Sequence, residues 1–210
     1  MNPSFSDIVQ DPTLFRDIMR YNCSGIETTY QEWQDKRQFV AKTINGNGTI
    51  LDIGCAGGFF LKSLQEWSGF DLIPYGIDNE QEYLDQAKKL FPEYADHFVQ
   101  LNAREITSLS DRGLPNKYDF VYCSVFDLNR EGNIEFIEKY MLPLAKKRLI
   151  IGFYAPNAHA FQSPEWKKER AWIQAGLDNL EKSNLNISGS EINPTQFNQG
   201  VAWVDSNHLG

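Results

Sequence analysis

The stretch Leu51-Asp52-Ile53-Gly54-Cys55-Ala56-Gly57-Gly58-Phe59 constrains this chain more than any other. Residues 49–53 form a short apolar run that stops at a cluster of glycines, and a helix is expected from Gly58 to about Trp67. A strand, a glycine turn and a helix in that order make a site at the carboxyl edge of a sheet. Glycine lets ligand atoms approach the backbone, and the helix N-terminus favours a negative group. Asp52 adds weight to a ligand, because a carboxylate closing a central strand is costly without a partner. The plainer alternative is a tight turn that binds nothing.

The order of elements around this stretch sets the fold. Asp11-Pro12 is a cap followed by a first-turn proline, opening a helix through about Arg20. A second helix is expected from about Glu27 to Ile44, ended by Asn45-Gly46-Asn47-Gly48. Strands are then read at 49–53, 73–77, 97–101, 118–123 and 148–154. Asp78 is expected to cap a helix carrying Leu84, Ala87, Leu90 and Phe91, and residues 134–137 sit in the helix joining the last two strands. A helix over 163–182 with Trp166, Ile173, Leu177 and Leu180 on one face precedes two strand-like runs, 185–192 and 200–205. Two successive strands with no helix between them pair antiparallel. The expected class is therefore α/β: a seven-stranded, mostly parallel, doubly wound sheet with a C-terminal antiparallel hairpin and an N-terminal helical segment. A chain of 210 residues suits one domain, 1–210, with 1–46 as a helical cap and 47–206 as the core.

A dinucleotide site wants G-x-G-x-x-G, and from Gly54 that pattern fails at Ala56 and at bulky Phe59. Read from Asp52 the residues are D-x-G-x-A-x-G, through Gly54, Ala56 and Gly58. This resembles motif I of the class I S-adenosylmethionine-dependent methyltransferases, with Ala56 in place of the middle glycine. The resemblance covers about residues 27–205, the terminal hairpin included. It implies S-adenosyl-L-methionine as cofactor, held by Asp52, Gly54, Cys55, Ala56, Gly57 and Gly58. It further implies that Asp78 accepts the ribose hydroxyls and Asn79 lies near the adenine. Asn102-Ala103 resembles the adenine-recognition step, more often Asp-Ala, and Ser124 follows the fourth strand beside the transferable methyl. Asp78 as a mere helix cap is the competing reading.

On the acceptor side the resemblance places the reaction beside the segments after the fourth and fifth strands. Phe126, Tyr154 and Phe161 can wall the space, and Asp127 and His159 are the candidate catalytic groups, to orient or deprotonate an acceptor. A solvated loop histidine and a helix-capping aspartate are the plainer readings of those two. Arg37 sits in a stripe with Tyr30, Trp33, Val40 and Ile44, and either snorkels to solvent, the commoner fate, or enters the cofactor mouth.

The net charge of −8 repels phosphate backbones, and the clusters Lys146-Lys147-Arg148 and Lys167-Lys168-Glu169-Arg170 sit where such clusters only solubilise. Nucleic acid is thus expected to be disfavoured, and a small-molecule acceptor is expected. The terminal hairpin's Asn193-Pro194 comes too late for the [DNS]-P-P-[YF] signature that resembles amino-methyltransferases. Cys23, Cys55 and Cys123 are odd in number with no C-x-x-C spacing, and the histidines show no metal spacing, so neither a disulfide framework nor a metal site is expected. No apolar run reaches the ~18 residues of a membrane span, and the N-terminus lacks signal-peptide character. A cytoplasmic location with no membrane partner is expected; nothing in the sequence sets an oligomeric state. The expected activity is methyl transfer to an oxygen or nitrogen of a small or medium-sized metabolite. The rival readings are a non-catalytic scaffold of the same fold and an aminopropyltransferase.

Overall fold

The computed structural model describes residues 3–22, 29–106, 109–125, 128–130, 132–154, 166–196 and 198–208. Seven strands, β1 (Gly48–Ile53), β2 (Leu72–Asp78), β3 (Phe98–Gln100), β4 (Tyr118–Val125), β5 (Ala145–Tyr154), β6 (Gly189–Ile192) and β7 (Gln199–Asp205), form one sheet. Their order is β3-β2-β1-β4-β5-β7-β6. β1 with β2, β2 with β3 and β4 with β5 run parallel, whereas β7 pairs antiparallel with both β5 and β6. This is the α/β class expected from the strand–helix alternation, closed by the expected hairpin. The chain divides into two compact units, Met1–Asn116 and Lys117–Gly210.

In the first unit, local capping chemistry sets the helices. α1 (Phe5–Gln10), absent from the sequence reading, is opened by a capping box in which Ser4 Oγ accepts from the Asp7 N–H and Asp7 Oδ2 from the Ser4 N–H. α2 (Pro12–Met19) starts where Asp11 Oδ1 accepts from the N–H groups of Thr13 and Leu14, as Asp11-Pro12 led one to expect. The helix expected up to Ile44 is shorter: α3 (Tyr30–Arg37) begins at a Thr29/Glu32 capping box and gives way to a 3-10 stretch, Gln38–Thr43. Phe39, Val40 and Thr43 are buried there, and the Thr43 hydroxyl donates to Val40 O at 2.7 Å. Side chains that are stiff at χ1 and a hydroxyl that competes for a backbone carbonyl both weaken a regular helix.

These helices converge on α4 (Phe59–Ser68). The Phe59 ring, fully buried, meets Phe5 of α1 at 5.9 Å, Phe15 of α2 at 5.7 Å and Trp33 of α3 at 5.6 Å between centroids. Trp33 Nε1 donates to Ser63 Oγ at 3.0 Å and Trp67 Nε1 to Tyr30 Oη at 3.0 Å, so the buried Trp33 and the half-buried Trp67 both have their polar edge satisfied. α5 (Gln81–Leu90) buries Leu84, Ala87 and Leu90, the positions expected from helical spacing. Its cap is Glu80, not Asp78. The connection from β3 to β4 contains only 3-10 turns among the described residues, Ala103–Glu105 and Ser110–Arg112.

In the second unit, β5 is registered on β7 so that Arg148 faces Asp205, with Nε to Oδ1 at 2.6 Å. α6 (Asn133–Phe136) passes into a π-turn, Ile137–Met141, and stops at Pro143, which has no N–H to continue it. α7 (Trp166–Glu181) buries Ile173, Leu177 and Leu180, three of the four residues expected on its inner face; the Trp166 side chain lies outside the description. β6 begins at Gly189 rather than at 185, and the Trp203 ring occupies the space a Cβ at Gly189 would need. No helix among the described residues is long and apolar enough to cross a membrane.

Candidate functional site

The cofactor-side residues of the first unit come together around the loop between β1 and α4. The N–H groups of Gly54 and Cys55 both donate to Ile77 O, at 2.8 and 3.1 Å, which ties the loop to the end of β2. Ala56 adopts φ +48°, the left-handed region that an alanine enters at a cost of ~1–2 kcal/mol. Its N–H is held by Asp78 Oδ2 at 2.9 Å, while Asp78 Oδ1 accepts from the Glu80 N–H at 3.0 Å. One carboxylate thus clamps the two loops that follow β1 and β2. Asp78 does not cap α5 because one of its oxygens is turned toward the glycine loop and the other is held by the Glu80 N–H, ahead of the helix.

Gly57 N–H donates to Tyr21 O at 2.6 Å, and a Cβ at Gly57 would lie 2.8 Å from Tyr21 Cβ. Only glycine permits that close approach. The segment after α2 is therefore part of the loop's support, a role invisible in the sequence because a backbone carbonyl leaves no mark on residue type. Gly54, by contrast, has φ +80° and open space, with nothing within 4 Å of a Cβ placed on it.

Asp52 lies at the end of β1 with 3% of its surface exposed. No hydrogen bond from a described residue reaches its carboxyl. Burial, reinforced by the Asp78 carboxylate, pushes its pKa up to about 8, with the Arg37 charge pulling the other way. Arg37, in the last turn of α3, is half-buried with its guanidinium 5.2 Å from the centre of the Trp33 ring. A half-buried guanidinium over an indole, with its charge felt at Asp52, fits both readings of Arg37.

The remaining expected residues are less concentrated. Asn79 is exposed, and its carbonyl accepts from Gln100 Nε2 at 2.9 Å. Asn102 is exposed and caps a 3-10 turn, its Oδ1 accepting from the Arg104 N–H at 3.0 Å; Ala103 follows, half-buried. Cys55 and Cys123 are both buried. Ser124 is an exposed residue of β4 in the second unit. Asp127, His159, Phe126 and Phe161 lie outside the described residues. His97 is a structural residue: its ring stacks on Tyr75 at 3.9 Å and Nδ1 lies 3.0 Å from Pro74 O.

The arrangement suits a ligand with a positive charge and vicinal hydroxyls. Two buried carboxylates face a loop with open space at Gly54, and the Asp78 carboxylate, holding two N–H groups, has two of its roughly four acceptor positions left. The N–H groups of residues 54–58 are all used within the protein, with Gly58 N–H on Cys55 O at 3.0 Å, so the loop offers no free nest for an anion. Residues 1–116 hold 17 acidic and 10 basic side chains, against 11 and 10 in the remainder. Most of the chain's acidic excess therefore lies in residues 1–116.

Residues 26–126 match the family model of a methyltransferase domain. Among solved structures, one that resembles this chain is a protein of Pyrococcus horikoshii OT3, with TM-score 0.58 and 17% identity over 92% of this chain and 96% of that chain. Another is the plantazolicin methyltransferase BpumL in complex with S-adenosylhomocysteine, with TM-score 0.55 and 17% identity over 92% and 90%. A third is a fibrillarin pre-rRNA processing protein of Methanococcus jannaschii, with TM-score 0.54 and 16% identity over 82% and 75%. No curated protein matches the sequence. The fold is thus shared with a pre-rRNA processing protein, and also with a ribosomal protein L11 methylase of Lactobacillus delbrueckii subsp. bulgaricus. That corrects the expected partner, a small molecule with nucleic acid disfavoured. Net charge is an average, and residues 117–210 are nearly balanced, so the value of −8 does not exclude RNA or protein.

Proposed function

We infer that this chain, which carries a class I S-adenosylmethionine-dependent methyltransferase domain, moves the cofactor's methyl group to an oxygen or nitrogen nucleophile. The observation that carries the reading is the clamp of Asp78 on Ala56, within the residues that match the methyltransferase family model. S-adenosylmethionine, when bound, supplies a methyl group on a positively charged sulfur, open to in-line displacement. The chain's own residues bind and orient. Asp78 accepts the ribose hydroxyls with its remaining lone pairs, and Asn79, Asn102 and Ala103 border the adenine. Gly54, Cys55, Ala56, Gly57 and Gly58 give the backbone floor, and Asp52 with Asp78 offsets positive charge. Asp127 and His159 orient the acceptor or take its proton, which is needed only for an acceptor that must lose one.

Label transfer from methyl-labelled cofactor tests the reading. The metabolite acceptor first expected is one arm; RNA and protein, the acceptors named for matched folds, are the other two. Label is expected in one arm. With that acceptor, His159→Ala and Asp127→Asn should each lower kcat by roughly a hundredfold if the group moves a proton, leaving cofactor affinity unchanged. Full activity in both variants would show that these two residues are wrongly assigned. Cofactor binding with no transfer to any arm would favour a scaffold over an enzyme.

A further inference from the structure

Asp52, which with Asp78 offsets positive charge, differs from Asp78 in how it is held. Asp52 is 3% exposed and receives no hydrogen bond from a described residue, whereas its neighbour Asp78 holds two backbone N–H groups. A buried carboxyl without a donor is expensive to keep ionised. The charged groups that act on it come from two adjoining elements, Asp78 at the end of β2 and Arg37 at the end of α3. Burial and Asp78 outweigh Arg37, so Asp52 holds its proton up to about pH 8. The group is therefore neutral at low pH and becomes a second, closely placed negative charge as the pH rises.

The two states of the cofactor differ by one positive charge. The donor carries a sulfonium, and the product left after methyl transfer carries a neutral sulfide. We propose that Asp52 makes the site distinguish donor from product by that charge, giving up a proton to the solvent when the cationic donor binds and keeping it when the product binds. The proposal rests on the cofactor reading given above and concerns a specificity that the loop's shape does not supply. A cation near Asp52 stabilises its ionised form, and by linkage the donor's affinity rises with pH until Asp52 is ionised in the free protein as well. The product lacks that charge and follows the rise less. Preference for donor over product therefore grows from pH 6 through pH 8 and levels toward pH 9, which favours exchange of spent cofactor for fresh.

Calorimetry of the full chain with S-adenosylmethionine and with S-adenosylhomocysteine, at pH 6, 7, 8 and 9, tests this directly. In the native protein the ratio of the two Kd values is expected to shift toward the donor by about fivefold between pH 6 and 8 and to approach about tenfold by pH 9, for one unit of differential proton affinity. Asp52→Asn should keep only the part set by the ligands' own amino groups. The same change has a readout without ligand. The folded chain keeps Asp52 protonated to higher pH than the unfolded chain, so its contribution to stability is complete below the unfolded value of 3.8 and is lost as the pH rises through about 8. Asp52→Asn should therefore lose less Tm between pH 5 and 8.5 than the native protein. Should that variant not fold, carboxyl NMR of the native protein serves instead. The Asp52 signal is expected to titrate near neutrality or above in the free protein, to move to lower pH with the donor, and to move less with the product. A native ratio that is flat with pH, or an Asp52 signal that shifts equally with both ligands, overturns the proposal while leaving the cofactor reading intact. A folded protein that binds neither ligand overturns both.

Discussion

Asp78→Ala is expected to lower cofactor affinity by roughly a hundredfold or more, since two hydrogen bonds to a charged group are each worth ~1.5–3 kcal/mol. The same substitution also removes the oxygen that holds the Ala56 N–H and the one that holds the Glu80 N–H, so the loop itself loosens. The two effects are separable. Against the native protein, an S-adenosylhomocysteine analogue lacking both ribose hydroxyls should bind much more weakly than S-adenosylhomocysteine. Against Asp78→Ala the two ligands should bind almost alike. A variant that still prefers the hydroxylated ligand by the native factor would mean that the ribose rests on another residue and that Asp78 serves only as the clamp.

Phe59→Ala should cause the largest loss of stability of any single change near the site. The ring is fully buried between one aromatic residue from each of α1, α2 and α3, and nothing on the rigid first turn of α4 can move to fill the space. Truncating such a phenylalanine costs ~3–5 kcal/mol, which for a chain of this size lowers Tm by about 6–20 °C. Because Phe59 follows the glycine loop directly and the Tyr21 carbonyl seats Gly57, cofactor affinity should fall with it. Thermal denaturation with and without cofactor measures both. A Tm loss of only a degree or two would show that the N-terminal helices are not packed on α4 as described.

Phe59 also illustrates what the sequence made legible. Its bulk ruled out the dinucleotide pattern at the third glycine position, and in the structure that bulk is what the N-terminal helices pack on. The mostly parallel sheet and its terminal hairpin followed from alternation, because successive strands without a helix have only one way to pair. Asp11-Pro12 announced α2 through chemistry confined to three residues. α1 had a comparable signal in Ser4 and Asp7, which went unread because the run is only six residues long. What stayed hidden depends on contacts far apart in sequence. Asp78 turns one oxygen toward Ala56, 22 residues away, rather than capping α5. Residue type alone gives Asp78 both options. The partner expectation failed for a different reason: net charge sums over a chain whose acidic excess sits almost wholly in residues 1–116.

The most direct test of the central claim is calorimetric titration of the native chain with S-adenosylmethionine. The account predicts saturable binding with one cofactor per chain, abolished or severely weakened by Asp78→Ala under conditions where that variant remains folded. A folded native chain that takes up no S-adenosylmethionine, or a folded Asp78→Ala that binds it with native affinity, would contradict it.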